Sequence, residues 1–280
     1  MKITRPHKIL FPCDDITKKE FVEYYRRIAN TMLPHLRGRP IVMERYPDGI
    51  YGNRIFQKNA PRHFPASIPI ATLPKKGGVV RHVLCNDPET LEYLANQAVI
   101  TPHTWLSRAD EPNRPDQLIF DLDPSGSQFD IVCRAAGSLR ELLKKRGITS
   151  FVKTTGSRGL HVLAPLDRSA EFDAVRKFAR DVAEELAHGD PDHLTTEVRK
   201  EKREGRVFLD VARNAYAQTA APAYAVRPRD TAPVAAPLQW EELNDPGIKP
   251  DSYNIRNIFT RLERVGDPWK DLANFAQALP

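Results

Sequence analysis

Two aspartates one residue apart end a short apolar run, Gln117-Leu-Ile-Phe-Asp-Leu-Asp123. Alternate side chains of a β-strand point to the same face, so Asp121 and Asp123 would lie side by side, roughly 7 Å apart along the backbone. Neighbouring carboxylates repel each other unless a cation lies between them. The pair therefore predicts either a divalent-metal site or a solvated acidic turn, because Pro124-Ser-Gly126 follows and favours a turn.

A third aspartate ends another apolar segment, Val207-Phe-Leu-Asp210. By itself, an aspartate at a strand end is more often part of a turn. If folding brought Asp210 beside Asp121 and Asp123, the three carboxylates could hold two divalent ions. One ion would lower the pKa of an attacking hydroxyl, and the other would neutralise the charge on a leaving phosphate.

Several other residues have side chains suited to phosphate. The segment Thr155-Gly-Ser-Arg-Gly159 offers glycines for positive φ, backbone N–H groups, a hydroxyl and a guanidinium. His161 lies two residues further on, where it could donate to a phosphate oxygen or be an ordinary structural histidine. Arg213, Arg227 and Arg229 add guanidiniums, which match phosphate geometry. A nucleoside triphosphate is the ligand that would use all of these groups.

Hydrophobic spacing predicts the elements that would hold these residues in place. Thr17 and Glu20 have the spacing of a capping box, Tyr46-Pro-Asp-Gly49 predicts a hairpin turn, and Ser169 predicts a helix cap. Strands and helices do not alternate strictly, which predicts an α+β fold with mixed or antiparallel sheets. The predicted helices cover residues 18–34, 88–97, 129–146, 170–189 and 252–265. The predicted strands cover residues 41–45, 50–57, 79–85, 98–106, 118–123, 149–153, 160–164, 206–211 and 224–227.

The composition is that of a globular protein, with 280 residues, 41% hydrophobic and 28% charged. No apolar run approaches the length of a membrane helix, and the first residues lack the apolar core of a signal peptide. We therefore expect a single domain over residues 1–280, located in the cytoplasm and not associated with a membrane.

The charge balance favours a polyanionic partner, since the net charge is +6 and the pI is about 9.2. The run from Arg199 to Arg206 contributes five basic residues, although such runs are more often solvated surface. Cys13, Cys85 and Cys133 are odd in number and widely spaced, which argues against a disulfide framework and a thiolate zinc site.

Three blocks in this order carry a family resemblance: Ile119–Asp123, Thr155–His161 and Phe208–Asp210. They resemble the signature motifs of the archaeo-eukaryotic primase superfamily, and more closely those of the polymerase domain of bacterial DNA ligase D. The resemblance runs from about Pro6 to Asp271 and includes Tyr46-Pro-Asp-Gly49. It implies a primase-like, RRM-related catalytic core with mixed and antiparallel sheets flanked by helices. It also implies a template-directed nucleotidyltransferase that fills gaps during non-homologous end joining.

The resemblance implies two divalent ions, Mn²⁺ in preference to Mg²⁺, with NTP or dNTP as substrate and ribonucleotides favoured. It makes Asp121, Asp123 and Asp210 the catalytic metal ligands. Lys8 and Lys18 would bind the 5′-phosphate across a gap. The residues implied to contact the nucleotide are His103, close to the sugar, Thr155, Ser157, Arg158, His161, Arg213, Arg227 and Arg229.

The implied template contact is Phe56, although the sequence has Ile55-Phe56 where the family commonly has two phenylalanines. Arg158 stands where the family usually has lysine, and Arg213 where some relatives have glutamine. Residues of about 1–100 would contact the DNA end, 101–240 would form the metal and nucleotide site, and 241–280 would form a helical segment.

The expected partners are gapped or end-joined DNA with a 5′-phosphate, together with Ku and a DNA ligase, and the chain is expected to be a monomer at the nucleoid. Two alternatives stay open. Haloacid-dehalogenase phosphatases also begin with Asp-x-Asp after an apolar strand, but they have Thr or Val where this chain has Ser125. The chain could also be a non-catalytic module that binds DNA ends.

Overall fold

Strands and helices follow one another irregularly in the computed structural model, which describes residues 1–75, 77–126 and 128–280. The strands are β1 (Ile9–Phe11), β2 (Ile16–Thr17), β3 (Pro40–Arg45), β4 (Ile55–Gln57), β5 (Ile70–Lys75), β6 (Gly78–Leu84), β7 (Val99–Trp105), β8 (Gln117–Asp123), β9 (Phe151–Thr154), β10 (Leu160–Pro165), β11 (Leu194–Thr195), β12 (Val207–Asp210), β13 (Thr219–Ala220) and β14 (Pro237–Leu238). The α-helices are α1 (Lys18–Met32), α2 (Pro88–Asn96), α3 (Phe129–Lys145), α4 (Phe172–Gly189) and α5 (Ile258–Val265).

The chain folds into two compact units. Unit 1 consists of Met1–Pro112, Thr219–Ala235 and Tyr253–Arg264, and unit 2 consists of Asn113–Gln218, Ala236–Ser252 and Val265–Pro280. The chain passes from one unit to the other several times, so neither unit is a continuous segment. The single domain over residues 1–280 stays a prediction.

Unit 1 is built on an antiparallel sheet in the order β13-β7-β3-β6-β5, with β4 paired to β3. Helix α1 begins where predicted, because the Thr17 hydroxyl accepts from the amide of Glu20 and the Glu20 carboxylate accepts from the amide of Thr17. Its buried face follows helical spacing through Phe21, Tyr25 and Ile28. The Tyr25 hydroxyl donates to the carbonyl of Ile100 on β7, which ties the helix to the sheet.

Unit 2 is built on a sheet in the order β11-β12-β8-β10-β9-β14, antiparallel except for the parallel β11–β12 pair. β8 lies inside this sheet, with α3 and α4 in contact with it. Leu118, Phe120 and Leu122 are at most 1% exposed. Replacing a buried leucine of this kind by alanine costs about 2–5 kcal/mol, so the burial of β8 anchors the unit.

Some predicted boundaries are wrong. Ser169 does not cap α4, since its hydroxyl bonds to the Asp167 carboxylate and the N-cap is Glu171. Residues 224–227 do not form a strand, and only Val226 among them pairs, in an isolated bridge with Val234. Helix α5 begins at Ile258, not at 252, because the Asn254 side chain closes a turn just before it.

Two differences concern strands at sheet edges. β4 covers only three residues, so the link from β3 is longer than the predicted hairpin turn. β5 has no counterpart among the predicted strands, because it lies at an edge, contains Pro74 and ends in Lys75, and so lacks an apolar alternation. Within residues 1–75, 77–126 and 128–280, no helix has the length and hydropathy needed to cross a membrane.

Candidate active site

The three predicted metal ligands lie together on the sheet of unit 2. In the antiparallel pair of β8 and β12, Asp210 is directly opposite Asp121, and Phe208 is opposite Asp123. Residues that oppose each other in this way have side chains on the same face, and residues two apart on one strand share that face. The register therefore brings Asp210 to the same face as Asp121 and Asp123.

The electrostatics of this cluster are unequal. Burial, followed by the charges of Asp121 and Asp210, raises the pKa of Asp123, against the opposing effects of Arg158 and Arg203. Burial also acts to raise the pKa of Asp121, but the nearby His161, Arg213 and Lys153 outweigh it and leave that pKa at about 2. A bound cation would act in the opposite direction to burial and lower the pKa of Asp123.

The donor set fits a hard divalent cation, since carboxylate oxygens are the ligands that Mg²⁺ and Mn²⁺ prefer. After burial, the charges of Asp121 and Asp210 contribute to the raised pKa of Asp123, and a cation would offset those charges. As they stand, no three His, Cys, Asp or Glu side chains of the described residues converge closely enough to hold a metal ion. Asp210 accepts a hydrogen bond from the amide of Ala212 at 2.8 Å, which directs one carboxylate oxygen to its own loop.

His161 lies on β10, directly opposite Asp121 on the other side of β8. Its Nε2 is 3.4 Å from Oδ1 of Asp121. Burial and the charge of Lys153 lower the pKa of His161 to about 4, although Asp121 acts in the opposite direction. The imidazole is therefore neutral near pH 7, and its buried Nδ1 has no hydrogen-bond partner among the described residues.

The turn of residues 155–159 is fastened to β8. The Thr155 hydroxyl accepts from the amides of Arg158 and Gly159, both at 3.2 Å, and is within 3.1 Å of the carbonyl oxygen of Gly159. A Cβ on Gly159 would lie 1.9 Å from the carbonyl oxygen of Leu122, the residue between the two aspartates. Gly156 has φ of +61°, which favours glycine. The turn thus needs glycine to lie this close to the aspartate strand.

Two guanidiniums approach the carboxylates. One nitrogen of Arg158 is 3.6 Å from Oδ1 of Asp123, and Nε of Arg213 is 3.6 Å from Oδ2 of Asp121. Both arginines are substantially exposed, so they can also reach an anionic ligand. Ser157 is half-buried and lines, with Arg158, a cavity of about 990 Å³ beside the first turns of α3.

Two basic residues in this region have no role in the sequence analysis. Lys153 lies on β9 opposite His161, is 2% exposed, and acts to lower the pKa values of both His161 and Asp121. Arg203 stacks over the ring of Phe208 at 3.8 Å and acts to lower the pKa of Asp123. The position of Lys153 inside the apolar strand Phe-Val-Lys-Thr is a sequence feature from which its burial could have been predicted. Arg203 lies in a basic run typical of solvated surface, so its sequence context does not distinguish it.

The other predicted nucleotide contacts belong to unit 1. His103 lies on β7, with its Nε2 2.8 Å from the carboxylate of Glu44 and its ring 5.4 Å from the ring of Phe56. Phe56, the predicted template contact, is 49% exposed. Arg227 is half-buried and Arg229 is exposed, in a loop where the Arg229 amide donates to the carbonyl of Arg227.

The two predicted phosphate-binding lysines are close together in unit 1. The amide of Lys18 donates to the carbonyl of Lys8, and Nζ of Lys18 donates to the Thr4 hydroxyl at 2.7 Å. Burial, followed by the charges of Arg5 and Lys8, lowers the pKa of Lys18 to about 8. Nζ of Lys8 is 2.6 Å from a carboxylate oxygen of Asp48. Crowded positive charge of this kind suits an anion.

Comparison with known proteins gives concordant matches. The family model described as "LigD, primase-polymerase domain" matches residues 17–269. The multifunctional non-homologous end joining protein LigD of Mycolicibacterium smegmatis is 32% identical over 95% of this chain, and the bifunctional LigD of Bacillus subtilis is 30% identical over 100% of it. The chain spans only 35% and 45% of the length of these two relatives.

A solved structure is also similar throughout. The polymerase domain of ligase D from Mycobacterium tuberculosis, in complex with DNA, superposes with a TM-score of 0.93 at 29% sequence identity. The match covers 99% of both chains, and it confirms the predicted α+β, primase-like fold.

Proposed function

Because the chain belongs to the LigD primase-polymerase domain family, and is therefore a nucleotidyltransferase that acts on DNA, we propose that it is a template-directed polymerase. In this proposal a primer 3′-hydroxyl attacks the α-phosphate of an incoming nucleotide, and pyrophosphate leaves. The observation that carries the proposal is the direct opposition of Asp121 and Asp210 on neighbouring strands, with Asp123 on the same face. Family membership gives no support to the phosphatase alternative or to a non-catalytic role.

Asp121, Asp123 and Asp210 are proposed to hold two divalent ions, Mn²⁺ in preference to Mg²⁺. Bound there, the ions would favour the deprotonated hydroxyl and neutralise charge on the leaving pyrophosphate. The charges of Asp121 and Asp210, which after burial contribute to the raised pKa of Asp123, support this role because a cation would offset them.

The chain's own residues would bind and orient the triphosphate. Thr155 shapes the turn, because its hydroxyl accepts from the amides of Arg158 and Gly159, while the side chains of Ser157 and Arg158 would contact phosphate oxygens directly. His161 and Arg213 are also proposed to contact the triphosphate, Arg213 through its exposed guanidinium.

The remaining proposed nucleotide contacts are those of unit 1. Arg227 and Arg229 would bind the outer phosphates, and His103 the sugar, with ribonucleotides favoured. Their support is the family resemblance together with the position of His103 beside the exposed ring of Phe56, which we propose contacts the template.

We propose that Lys8 and Lys18 bind the 5′-phosphate of gapped DNA, supported by the crowded positive charge around Lys18. The names of the relatives support a role in non-homologous end joining. Gap filling, with Ku and a DNA ligase as partners of a monomeric chain, is proposed from the family resemblance alone. The bacterial origin of those relatives supports a cytoplasmic location at the nucleoid.

Primer extension tests the polymerase proposal. Asp121→Asn and Asp210→Asn, which keep side-chain size, are expected to lower the rate by at least about a thousandfold while DNA binding is retained. Asp181→Asn, on the exposed face of α4, is the matched control and should extend normally. Near-normal extension by either site variant would refute the assignment.

A further inference from the structure

Glu44 is a buried carboxylate on β3 to which the sequence analysis assigns no role. Its side chain is 6% exposed, and its two oxygens have different partners. Oε2 lies 2.8 Å from Nε2 of His103. Oε1 accepts from the Tyr46 hydroxyl at 3.2 Å and lies 3.6 Å from the guanidinium of Arg54. Burying a carboxylate costs desolvation free energy that its polar partners must offset, so a buried acid of this kind is a candidate for a specific role.

The strand register places Glu44 among residues proposed to contact substrates. Glu44 is opposite Phe56 on β4 and opposite Thr101 on β7, so it is a diagonal neighbour of His103. The ring of Phe56 packs 5.4 Å from the imidazole of His103, and the guanidinium of Arg54 lies 5.7 Å from the Phe56 ring. The imidazole is therefore held by a carboxylate and by an aromatic ring.

The carboxyl of Glu44 is ionised at neutral pH. Burial acts to raise its pKa, but the hydrogen bond and charge of His103, the charge of Arg227 and the hydrogen bond of Tyr46 outweigh burial and lower it. An ionised carboxylate on one imidazole nitrogen directs the ring proton to that nitrogen and fixes the plane of the ring. The same charge attracts Arg227, so one side chain acts on two proposed nucleotide contacts.

We propose that Glu44 is a positioning residue that orients His103 toward the nucleotide sugar and thereby sets the discrimination between ribo- and deoxyribonucleotides. This inference rests on the function proposed above, in which His103 contacts the sugar. Glu44 does not touch the reacting atoms. Its effect is expected on nucleotide KM and on sugar preference rather than on kcat.

Steady-state primer extension with matched NTP and dNTP substrates tests this role. Glu44→Gln keeps the size and removes the charge, and we expect it to raise the KM for the ribonucleotide about tenfold and to narrow the ribo-to-deoxy ratio by a similar factor. Glu92→Gln, a carboxylate of the same unit paired with Arg26 at the surface, is the control and should change neither quantity.

A second background separates positioning from general support of the fold. In His103→Ala, adding Glu44→Gln should change KM by less than about twofold, since the ring that Glu44 orients is gone. An effect of Glu44→Gln that is equally large in both backgrounds would overturn the proposal. If Glu44→Gln does not fold, the test uses Glu44→Asp, which keeps the charge on a shorter side chain. We expect this variant to have a raised KM for the ribonucleotide. An unchanged KM together with an unchanged ribo-to-deoxy ratio would overturn the proposal.

The outcomes also distinguish this inference from the proposed function. A wild-type chain that extends no primer would overturn both. A wild-type chain that extends primers, with a Glu44→Gln variant that keeps its KM and its sugar preference, would overturn the inference alone.

Discussion

The acidic cluster of unit 2 (Asp121, Asp123 and Asp210) and the basic cluster of unit 1 (Arg5, Lys8 and Lys18) each bring like charges close together. The charges are negative in the first cluster and positive in the second. Asp121 and Asp210 help to raise the pKa of Asp123, just as Arg5 and Lys8 help to lower the pKa of Lys18. Like charges that are held together destabilise the folded chain unless a counter-ion binds. The first cluster suits a divalent cation and the second suits a phosphate.

The two clusters differ in how they are positioned. The aspartates are placed by strand register, in which a shift of one residue would move each carboxylate to the other face. The lysines lie at the start of α1 and in the segment before it, where Lys8 already pairs with Asp48. We therefore expect backbone changes beside the acidic cluster to cause large losses of primer extension. Charge changes in the basic cluster should alter DNA affinity in smaller steps.

Gly159→Ala should have the largest effect on the stability of the folded chain. The added Cβ would lie 1.9 Å from the Leu122 carbonyl oxygen, so β8 or the turn must shift between the two aspartates. We expect destabilisation of about 1–3 kcal/mol or more by thermal or denaturant unfolding, together with a primer-extension rate lowered at least about a hundredfold. Gly137→Ala is the control, since, outside its own helix, none of the described residues comes within 4 Å of the added methyl on α3 and alanine favours helix by about 1 kcal/mol. Equal behaviour of the two variants would show that the strand does not constrain the turn.

Lys18→Ala should weaken binding of gapped DNA that carries a 5′-phosphate by about tenfold or more, because a buried cation facing an anion is lost. Fluorescence anisotropy with phosphorylated and unphosphorylated gaps measures the difference. Lys19→Ala, the exposed neighbour on α1, should lower both affinities slightly and equally. If Lys18→Ala also lowered both affinities equally, the lysine would be part of general DNA attraction and not of a phosphate site.

The preference for a 5′-phosphate should depend on pH. The pKa of Lys18 is lowered to about 8, so its ammonium is half lost at about pH 8 and is progressively lost as the pH rises further. The 5′-phosphate titrates near pH 6, so of these two groups only Lys18 changes charge between about pH 7.5 and 9.5. Over that range the preference for phosphorylated over unphosphorylated gaps should fall by up to about tenfold. Lys18→Arg stays charged and should abolish the pH dependence. A flat profile in the wild-type chain would contradict the account.

Asp48→Asn should have the smallest effect and the opposite sign. An Asp48 carboxylate oxygen lies 2.6 Å from Nζ of Lys8, so it would compete with a phosphate for that ammonium. Exposed ion pairs are weak, so removal of the Asp48 charge should strengthen binding of the phosphorylated gap by no more than about fivefold. Weaker binding would mean that Asp48 helps to hold Lys8 in place instead of competing for it.

The sequence was informative where local chemistry decides structure. The capping box at Thr17, the start of α2 at Pro88 and the apolar strand before Asp121 all occur as predicted. Each depends on neighbouring residues, so a single sequence is enough to predict it. The fold class followed from the order of the elements and from the three motifs.

Tertiary effects account for what was missed. Nothing local shows that Asp210 opposes Asp121, since that register depends on how β12 pairs with β8. The polar contacts of Glu44 likewise depend on the pairing of β3 with β4 and β7. The strand β5 lies at the edge of its sheet, and its residues lack the apolar alternation from which a strand is predicted.

Manganese binding tests the central claim most directly. Titration of Mn²⁺ into the chain, with free ion followed by its electron paramagnetic resonance signal, should show binding that is lost in both Asp121→Asn and Asp210→Asn. The Asp181→Asn control should bind as the wild-type chain does. Unchanged Mn²⁺ binding in the two site variants would contradict the account, because the opposed aspartates of β8 and β12 would then not form the cation site.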